Sequence, residues 1–269
     1  MTATSRRVDV ELVARGLARS RTQARQLVTA GVVSVDGEII TKPATPVSDE
    51  SVVSLTREPD RWVGRAAHKL LHALGTWPIE VAGRRCLDVG ASTGGFTQVL
   101  LEAGAAHVTA LDVGHDQLVA SIAGDGRVTD LPGTNIRDVD ADGLGGLFDL
   151  VVSDLSFISL TIALPPMRAL VTDGGDVVVL VKPQFEVGRE RLGHRGVVTS
   201  PSERRRVVGR VAAAATEVGL HVHGMTPSPI AGGDGNREFL LWLAPRPVPG
   251  AGPTAVDDML GSLDVEGAS

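Results

Sequence analysis

The sequence is poor in cysteine and contains no long hydrophobic run. Cys86 is the only cysteine among 269 residues, which excludes an internal disulfide and fits a reducing compartment. The longest strongly apolar run, residues 177–181, is far shorter than the roughly 18 residues that a membrane helix requires. Residues 1–7 contain no apolar segment typical of a signal peptide. We therefore expect a cytoplasmic protein without a membrane anchor.

The sequence also lacks a net positive charge, since its formal charge at pH 7 is −6. Charge is nevertheless distributed unevenly along the chain. Residues 1–30 contain six arginines and two acidic residues, whereas the tail after residue 245 is acidic. An acidic protein with one basic segment can present a local basic face to a nucleic acid.

Residues 1–59 predict a small α+β domain. Ser20 is a suitable N-cap for a helix that ends near Gly31, and Asp36-Gly37 suits a type I′ hairpin turn. Arginines near the start of this helix would lie beside its free N–H groups, and both attract phosphate. The alternative is a solvated arginine face on a structural domain. The RNA-contact candidates are Arg6, Arg19, Arg21, Arg25, Lys42 and Arg65.

Residues 17–37 resemble the S4 RNA-binding domain. Ser20-Arg21, Ala24, Gly31 and Asp36-Gly37 fall at the spacing of that family. The resemblance covers about 50 residues and implies backbone contacts that position RNA without reading its sequence.

Residues 60–64 predict a linker to a second domain at residues 65–245. Trp62 either fills the seam between the two domains or contacts RNA. A helix from about Gly64 to Gly75 would place Lys69 near its apolar edge. A lysine in that position usually extends its ammonium group to solvent.

Residues 84–101 predict a buried strand, a glycine turn and an amphipathic helix. Gly90 ends the strand, and Gly94 and Gly95 let the backbone pass close to a ligand. A turn of this kind at the carboxyl end of a parallel strand commonly binds a nucleoside. The G-x-G-x-x-G pattern of dinucleotide binding is absent. We therefore expect S-adenosylmethionine rather than a pyrophosphate cofactor, with a plain connecting turn as the alternative.

Polar residues after this turn complete the predicted nucleoside site. Asp112 ends the next predicted strand, where a carboxylate can accept hydrogen bonds from both ribose hydroxyls. Asn135 either contacts the adenine edge or caps a turn. The cofactor-binding candidates are Asp88, Gly90, Ser92, Gly94, Gly95, Phe96, Asp112, Asn135 and Phe157.

Apolar strands alternate with helices through the second domain. This pattern predicts an α/β fold, a Rossmann-like doubly wound sheet that is mostly parallel and covered on both faces. Asp154 and Lys182 each stand at the carboxyl end of a predicted strand, where ligands bind to such sheets. The arginines between residues 204 and 210 are expected to lie on a solvent-exposed face of a helix. Residues 246–269 predict an acidic tail rich in proline and glycine, in part disordered.

Together with Lys69 and Glu238, Asp154 and Lys182 form a set that resembles the tetrad of FtsJ/RrmJ-like RNA 2′-O-methyltransferases. With the S4-like start, the sequence further resembles the TlyA family, whose members are called haemolysins and are similar to ribosomal RNA cytidine 2′-O-methyltransferases. The stretches that carry this resemblance are Arg-Ala-Ala-His-Lys-Leu at 65–70, Ser-Asp-Leu-Ser-Phe-Ile-Ser at 153–159 and Lys-Pro-Gln-Phe-Glu-Val-Gly at 182–188.

The resemblance implies an S-adenosylmethionine-dependent methylation of a ribose 2′-hydroxyl in ribosomal RNA, on cytidine. A ribose hydroxyl must lose its proton during attack on the methyl group, and Lys182 is the candidate base. Asp154 would orient Lys182, while Lys69 and Glu238 would fix the ribose and the neighbouring phosphate. We expect a monomer without a metal ion and without a membrane partner. An ion-pair cluster that only supports the sheet edge is the structural alternative.

Two other functions compete with this interpretation. The first is a non-catalytic RNA-binding or ribosome-associated factor, which an intact set of site residues disfavours. The second is a membrane-active haemolysin. The sequence has no spanning segment and no strongly basic amphipathic helix with aromatic anchors, so it disfavours the second function as well.

Overall fold

The computed structural model describes residues 5–18, 20–57, 60–188, 192, 196–233, 235–250, 252 and 254–266. The chain forms two compact units, Met1–Arg61 and Trp62–Ser269. Each unit has its own hydrophobic core, as expected of independently packed domains.

The first unit combines two helices with short antiparallel strands in the part that the structure describes. β1 pairs with β4, and β2 lies between β3 and β5 in a second small sheet. The elements are β1 (Ser5–Arg7), α1 (Val8–Ala14), α2 (Arg21–Thr29), β2 (Val33–Val35), β3 (Glu38–Ile40), β4 (Pro46–Ser48) and β5 (Val53–Leu55).

Local sequence signals explain two features of this unit. Ser20 caps α2, because its side chain accepts a hydrogen bond from the Gln23 backbone N–H at 3.2 Å. Asp36 and Gly37 both have positive φ angles, 52° and 89°, as a type I′ turn requires. The turn joins β2 to β3 with Val35 opposite Glu38, so the predicted cap and the predicted turn are both confirmed.

The second unit contains a seven-stranded sheet with helices on both faces. Its elements are α3 (Ala67–Thr76), β6 (Arg85–Val89), α4 (Gly95–Glu102), β7 (His107–Asp112), α5 (Ala120–Ala123), β8 (Val128–Pro132), a 3₁₀ turn (Ile136–Asp138), β9 (Phe148–Ser153), α6 (Leu160–Leu170), β10 (Val171–Val181), α7 (Pro183–Glu186), α8 (Pro201–Glu217), β11 (His221–Pro227), β12 (Phe239–Ala244) and α9 (Ala255–Ser262).

The strand order is β11-β12-β10-β9-β6-β7-β8. β8, β7, β6, β9 and β10 pair in parallel, whereas β12 runs antiparallel to both β10 and β11. The chain leaves β6 towards β7 and β8, and then returns to pair β9 with the other side of β6. The order therefore reverses between β6 and β9, and a ligand crevice is expected outside their carboxyl ends.

The central strands are buried on both faces. Val177 and Val179 of β10 pack in the cluster that contains α6 and α8 residues, whereas Val178 and Leu180 pack in the cluster that contains α3 and α4 residues. Cys86 lies in the second cluster, and burial raises the pKa of its thiol to about 12. The predicted doubly wound α/β fold is confirmed, and Cys86 is a core residue.

A buried carboxylate joins the strands at the end of the sheet opposite to the crevice. Asp176 of β10 accepts hydrogen bonds from Arg84 at 2.7 Å, from the Trp242 indole at 2.8 Å and from Arg246. Burial raises the pKa of Asp176, but these three donors outweigh it, so the pKa lies below its ordinary value.

We expect Asp176→Asn to lower the free energy of unfolding by about 2 kcal/mol, because two guanidinium groups lose a charged acceptor. Because the folded-state pKa is depressed, the stabilisation is present above the unfolded pKa of about 3.9 and is lost as the pH falls through the folded value. Chemical denaturation of both proteins at several pH values measures this difference. If the difference in the free energy of unfolding between the two proteins stays constant down to the lowest pH measured, the role assigned to Asp176 is contradicted.

Candidate active site

A cleft of about 720 Å³ opens at the carboxyl ends of β6, β7 and β9, where the strand order reverses. This volume lies within the range of small-molecule sites, which are mostly apolar with a few polar groups. Here the polar groups include Ser92, Asp112 and Asp154, and the apolar side chains include Ile136 and Phe157.

The glycine turn forms one wall of the cleft. Gly90 has a φ of +87°, and a Cβ at this position would lie 3.0 Å from the Asp154 carbonyl oxygen. A side chain would therefore separate the ends of β6 and β9. Ser92 follows with a φ of +47°, which is uncommon for a non-glycine residue. The turn thus presents backbone directly to the cleft.

Asp112 lies at the end of β7 and is held by this turn. Its Oδ2 accepts a hydrogen bond from the Ser92 N–H, and its Oδ1 accepts one from the Gly114 N–H, both at 2.8 Å. A carboxylate offers about four lone-pair positions, so acceptor capacity remains towards the cleft.

Asn135 lines the cleft, and its side-chain oxygen caps the following 3₁₀ turn by accepting from the Arg137 N–H at 3.1 Å. The turn-cap interpretation of Asn135 is therefore realised in this structure. Of the nine cofactor-binding candidates, those that line the cleft are Gly90, Ser92, Asp112, Asn135 and Phe157.

The other four candidates lie outside the lining of the cleft. Gly94 and Gly95 begin α4, and Phe96 packs in the core. Asp88 is fully buried and accepts a 2.6 Å hydrogen bond from Thr97 of α4. Burial raises its pKa to about 7. These residues support the turn from the side that faces the protein core.

Two lysines and two carboxylates form a continuous chain of ion pairs beside the cleft. Lys182 Nζ lies 2.7 Å from Asp154 Oδ1, and Lys69 Nζ lies 3.2 Å from Asp154 Oδ2. Lys69 Nζ also lies 2.7 Å from Glu238 Oε2. The charges alternate along the order Lys182, Asp154, Lys69, Glu238, so each buried charge has a partner of opposite sign.

Four separate elements bring these side chains together. Asp154 follows β9, Lys182 follows β10, Glu238 immediately precedes β12 and Lys69 lies in α3. Lys69 does not extend to solvent, because Asp154 and Glu238 hold its ammonium group inside the protein.

The tetrad has a buried end and an accessible end. Lys69 and Glu238 are only 5% and 2% exposed. Asp154 lines the cleft, and Lys182 donates a 2.8 Å hydrogen bond to Ser156, which also lines it. The accessible end therefore meets the nucleoside-sized cleft, where a proton acceptor could act on a bound hydroxyl.

Sequence reasoning missed some residues of the site. Gln117 lines the cleft and donates to Asp112 Oδ1 at 3.4 Å, and Arg137 also lines the cleft. No local pattern distinguishes these positions from ordinary loop residues. Ser156 lies inside the stretch 153–159, so its position near Lys182 could have been anticipated.

In the first unit, buried acidic residues hold the arginines. Arg7 donates to Asp9 at 2.9 and 3.0 Å, and Arg21 lies 3.5 Å from the same carboxylate. The hydrogen bond from Arg7 lowers the pKa of Asp9. Arg6 lies 3.6 Å from Glu11, which is also buried. These acids therefore orient the basic side chains, a role that charge counting alone did not predict.

The RNA-contact candidates within the described residues are all exposed, which a role in binding phosphate requires. Arg19 lies outside the described residues. The exposed candidates are Arg6, Arg21, Arg25 and Lys42 in the first unit and Arg65 in the second.

Comparison with known proteins identifies both units. Residues 62–244 match the FtsJ-like methyltransferase family, and residues 6–53 match the S4 domain. The chain is 53% identical over 238 residues to a Mycobacterium tuberculosis protein named 16S/23S rRNA (cytidine-2′-O)-methyltransferase TlyA. That alignment covers 88% of this chain and 89% of the relative.

Two further relatives carry the name hemolysin. Hemolysin A of Brachyspira hyodysenteriae is 34% identical, over 87% of this chain and 98% of the relative. A solved structure of a Streptococcus thermophilus protein named as a hemolysin has 39% identity and a TM-score of 0.73, and it covers 97% of this chain and 96% of that chain. These matches span both units, and the chain belongs to the TlyA family of FtsJ-like methyltransferases, with an S4 domain in its N-terminal part.

Proposed function

We propose that this protein transfers a methyl group from S-adenosylmethionine to the 2′-hydroxyl of a cytidine in ribosomal RNA. The observation that carries the proposal is the ion-pair chain whose accessible lysine, Lys182, lies beside the nucleoside-sized cleft. Membership of the FtsJ-like family supports the reaction class. The names of the relatives support ribosomal RNA and cytidine as substrate.

The lining of the cleft supports S-adenosylmethionine as the methyl donor. Gly90 admits a ligand close to the backbone, and Asp112 retains acceptor positions for ribose hydroxyls. Ile136 and Phe157 offer apolar surface to a base. When bound there, S-adenosylmethionine supplies a methyl group on a positively charged sulfur, which keeps the electron pair of the broken C–S bond.

The residues of this chain then align and deprotonate the RNA hydroxyl. In the proposed step, the ammonium group of Lys182 first releases a proton to solvent, and the resulting neutral amine accepts the 2′-hydroxyl proton while the oxygen forms its bond to the methyl carbon. Asp154 holds Lys182 at the cleft through the 2.7 Å contact. In-line alignment of the hydroxyl supplies much of the acceleration.

Lys69 and Glu238 receive a different role from the one the sequence predicted. Both are nearly fully buried, so direct contact with ribose or phosphate would require them to leave the core. We propose that Lys69 neutralises Asp154 and Glu238 and fixes the carboxylate that orients Lys182. One chain supplies the whole tetrad, so a monomer can carry out the reaction.

The first unit would position the enzyme on ribosomal RNA, and the proposed place of action is the cytoplasm. A non-catalytic RNA-binding factor would not need the four-residue ion-pair chain, whose partial burial carries a desolvation cost. Among the described residues, no helix combines the length and the apolar character needed to cross a bilayer.

We expect Lys182→Ala to reduce the rate of methyl transfer at least about 100-fold, because the step loses its proton acceptor. Affinities for S-adenosylmethionine and ribosomal RNA should stay nearly unchanged. Transfer of radiolabelled methyl groups to ribosomal subunits measures the rate. Arg168→Ala, a partly exposed ion-pair residue on α6, is the control. Full activity of Lys182→Ala would refute the role of this lysine.

Asp112→Asn should weaken S-adenosylmethionine binding about 10-fold or more, because the ribose hydroxyls lose a charged acceptor. Isothermal titration calorimetry of the full-length protein measures the dissociation constant directly. The matched control is Asp125→Asn, whose carboxylate pairs with Arg127 at the surface. Equal dissociation constants for the wild type and Asp112→Asn would show that the ribose lies elsewhere.

Combined replacement of Arg6, Arg21 and Arg25 by alanine should weaken RNA binding while S-adenosylmethionine affinity is retained. Each lost phosphate contact reduces the magnitude of the negative slope of log binding constant against log salt concentration by about 1. Binding to ribosomal RNA over a salt series measures the slope. The control replaces Arg127, Arg168 and Arg206, which are ion-paired on the second unit. An unchanged slope in the first variant would indicate that these arginines do not contact phosphate.

A further inference from the structure

Glu186 is a buried acidic residue that the proposed reaction does not use. Its side chain is about 1% exposed, and it lies at the end of α7, four residues after Lys182. Burial of a carboxylate is costly unless charged and polar donors compensate it. The groups that donate hydrogen bonds to Glu186 therefore indicate which parts of the structure this residue joins.

The Glu186 carboxylate has three donors from two other elements. Oε2 accepts from the Ser159 hydroxyl at 2.7 Å and from Arg210 of α8 at 3.0 Å. Oε1 accepts from the Leu160 backbone N–H at 2.7 Å. We call Glu186, Ser159, the Leu160 N–H and Arg210 the Glu186 clamp. Arg210, which the sequence analysis assigned to a solvated helix face, is thus part of an internal contact.

The clamp joins the two segments that carry the accessible end of the tetrad. The segment 154–159 begins with Asp154 and ends with Ser159, the N-cap of α6. The segment 182–186 begins with Lys182 and ends with Glu186. Lys182 contacts Asp154 and Ser156 at one end, and the clamp closes the other end. The two segments are therefore fastened to each other at both ends.

The link from Glu186 back to Lys182 is short and rigid. Lys182 is the N-cap of α7, and its carbonyl accepts from the Phe185 N–H at 3.0 Å. Pro183 occupies the first helical position, where its fixed φ favours the turn. A displacement of Glu186 would therefore be transmitted to the Lys182 backbone.

One further contact lies between the two fastened ends. The ring centroids of Phe157 and Phe185 are 5.1 Å apart, within the range of favourable aromatic pairs. Phe157 has a φ of +65°, a backbone conformation that non-glycine residues rarely adopt. Its side chain is 90% exposed. A strained loop of this kind persists only when its surroundings fix it, and the Glu186 clamp supplies the fixed end.

We propose that Glu186 is a positioning residue, which acts through Lys182 and the 154–159 segment to hold the proton acceptor at the cleft. The proposal rests on the proposed function, because it assigns Lys182 its role in methyl transfer. Glu186 is buried and is not among the residues that line the cleft, so it does not touch the substrate.

The test compares Glu186→Gln with Asp176→Asn. Both variants remove the charge of a buried acid with three donors, but Asp176 lies midway along β10, and its arginine donors come from the edge of the sheet opposite to Lys182. We expect Glu186→Gln to lower kcat about 10- to 100-fold, because a small displacement of an aligned group is costly. The dissociation constant for S-adenosylmethionine should stay within about twofold of the wild type. Asp176→Asn should lower the melting temperature but retain kcat.

A second variant, Ser159→Ala, tests the clamp as a unit. If Ser159 and Glu186 act together, the double variant should lose no more activity than Glu186→Gln alone, whereas Glu186→Gln and Asp176→Asn should act independently. Hydrogen exchange provides a readout without catalysis: amides of residues 154–160 should exchange faster in Glu186→Gln and at the wild-type rate in Asp176→Asn.

If Glu186→Gln retains the wild-type kcat, the positioning role is overturned. The role is also overturned if Glu186→Gln and Asp176→Asn have the same melting temperature and lose kcat to the same extent. If the wild type itself transfers no methyl group to ribosomal RNA, the proposed function fails. Unchanged exchange over residues 154–160 would overturn the clamp independently of activity.

Discussion

The buried ammonium group of Lys69 is the interaction on which the rest of the site depends. It lies between Asp154 and Glu238, which would otherwise be two carboxylates in a largely buried environment. An isolated buried charge is so unfavourable that such groups neutralise or rearrange. Lys69 therefore forms an ion pair with Asp154 beside the cleft, and Asp154 in turn holds Lys182. Without it, the accessible end of the tetrad would lose its fixed geometry.

The fold explains why four side chains from distant parts of the sequence can meet in this way. Parallel strands place their carboxyl ends at one edge of the sheet, and the reversal of strand order between β6 and β9 opens a crevice there. Asp154 and Lys182 emerge from neighbouring strands at this edge. Opposite the crevice, Asp176 joins β10 to arginines and to Trp242. Stability and chemistry are thus supported by different parts of the same strand.

Much of this arrangement could be predicted from the sequence, because it follows from local patterns. The alternation of apolar strands and helices gave the sheet, and the glycine turn and Asp112 indicated the cleft. The environment of each side chain was harder to predict. Lys69 was expected to reach solvent, and Asp88 and Phe96 were expected at the ligand. Their actual positions depend on which face of a strand or helix meets the core. They also depend on partners outside the local pattern: Thr97, which binds Asp88 across the glycine turn, and Glu238, which binds Lys69 from a distant part of the sequence. The Glu186 clamp depends likewise on residues 24 to 27 positions apart, which no local spacing reveals.

The central claim is that the tetrad and the cleft together methylate a ribose 2′-oxygen of ribosomal RNA. The most direct measurement maps 2′-O-methyl groups on ribosomal RNA from cells that contain the protein and from cells that lack it. We predict at least one 2′-O-methylcytidine that is present only in the first sample and that the purified protein restores with S-adenosylmethionine. Identical methylation maps from the two samples, with no methyl group added by the purified protein, would contradict the account.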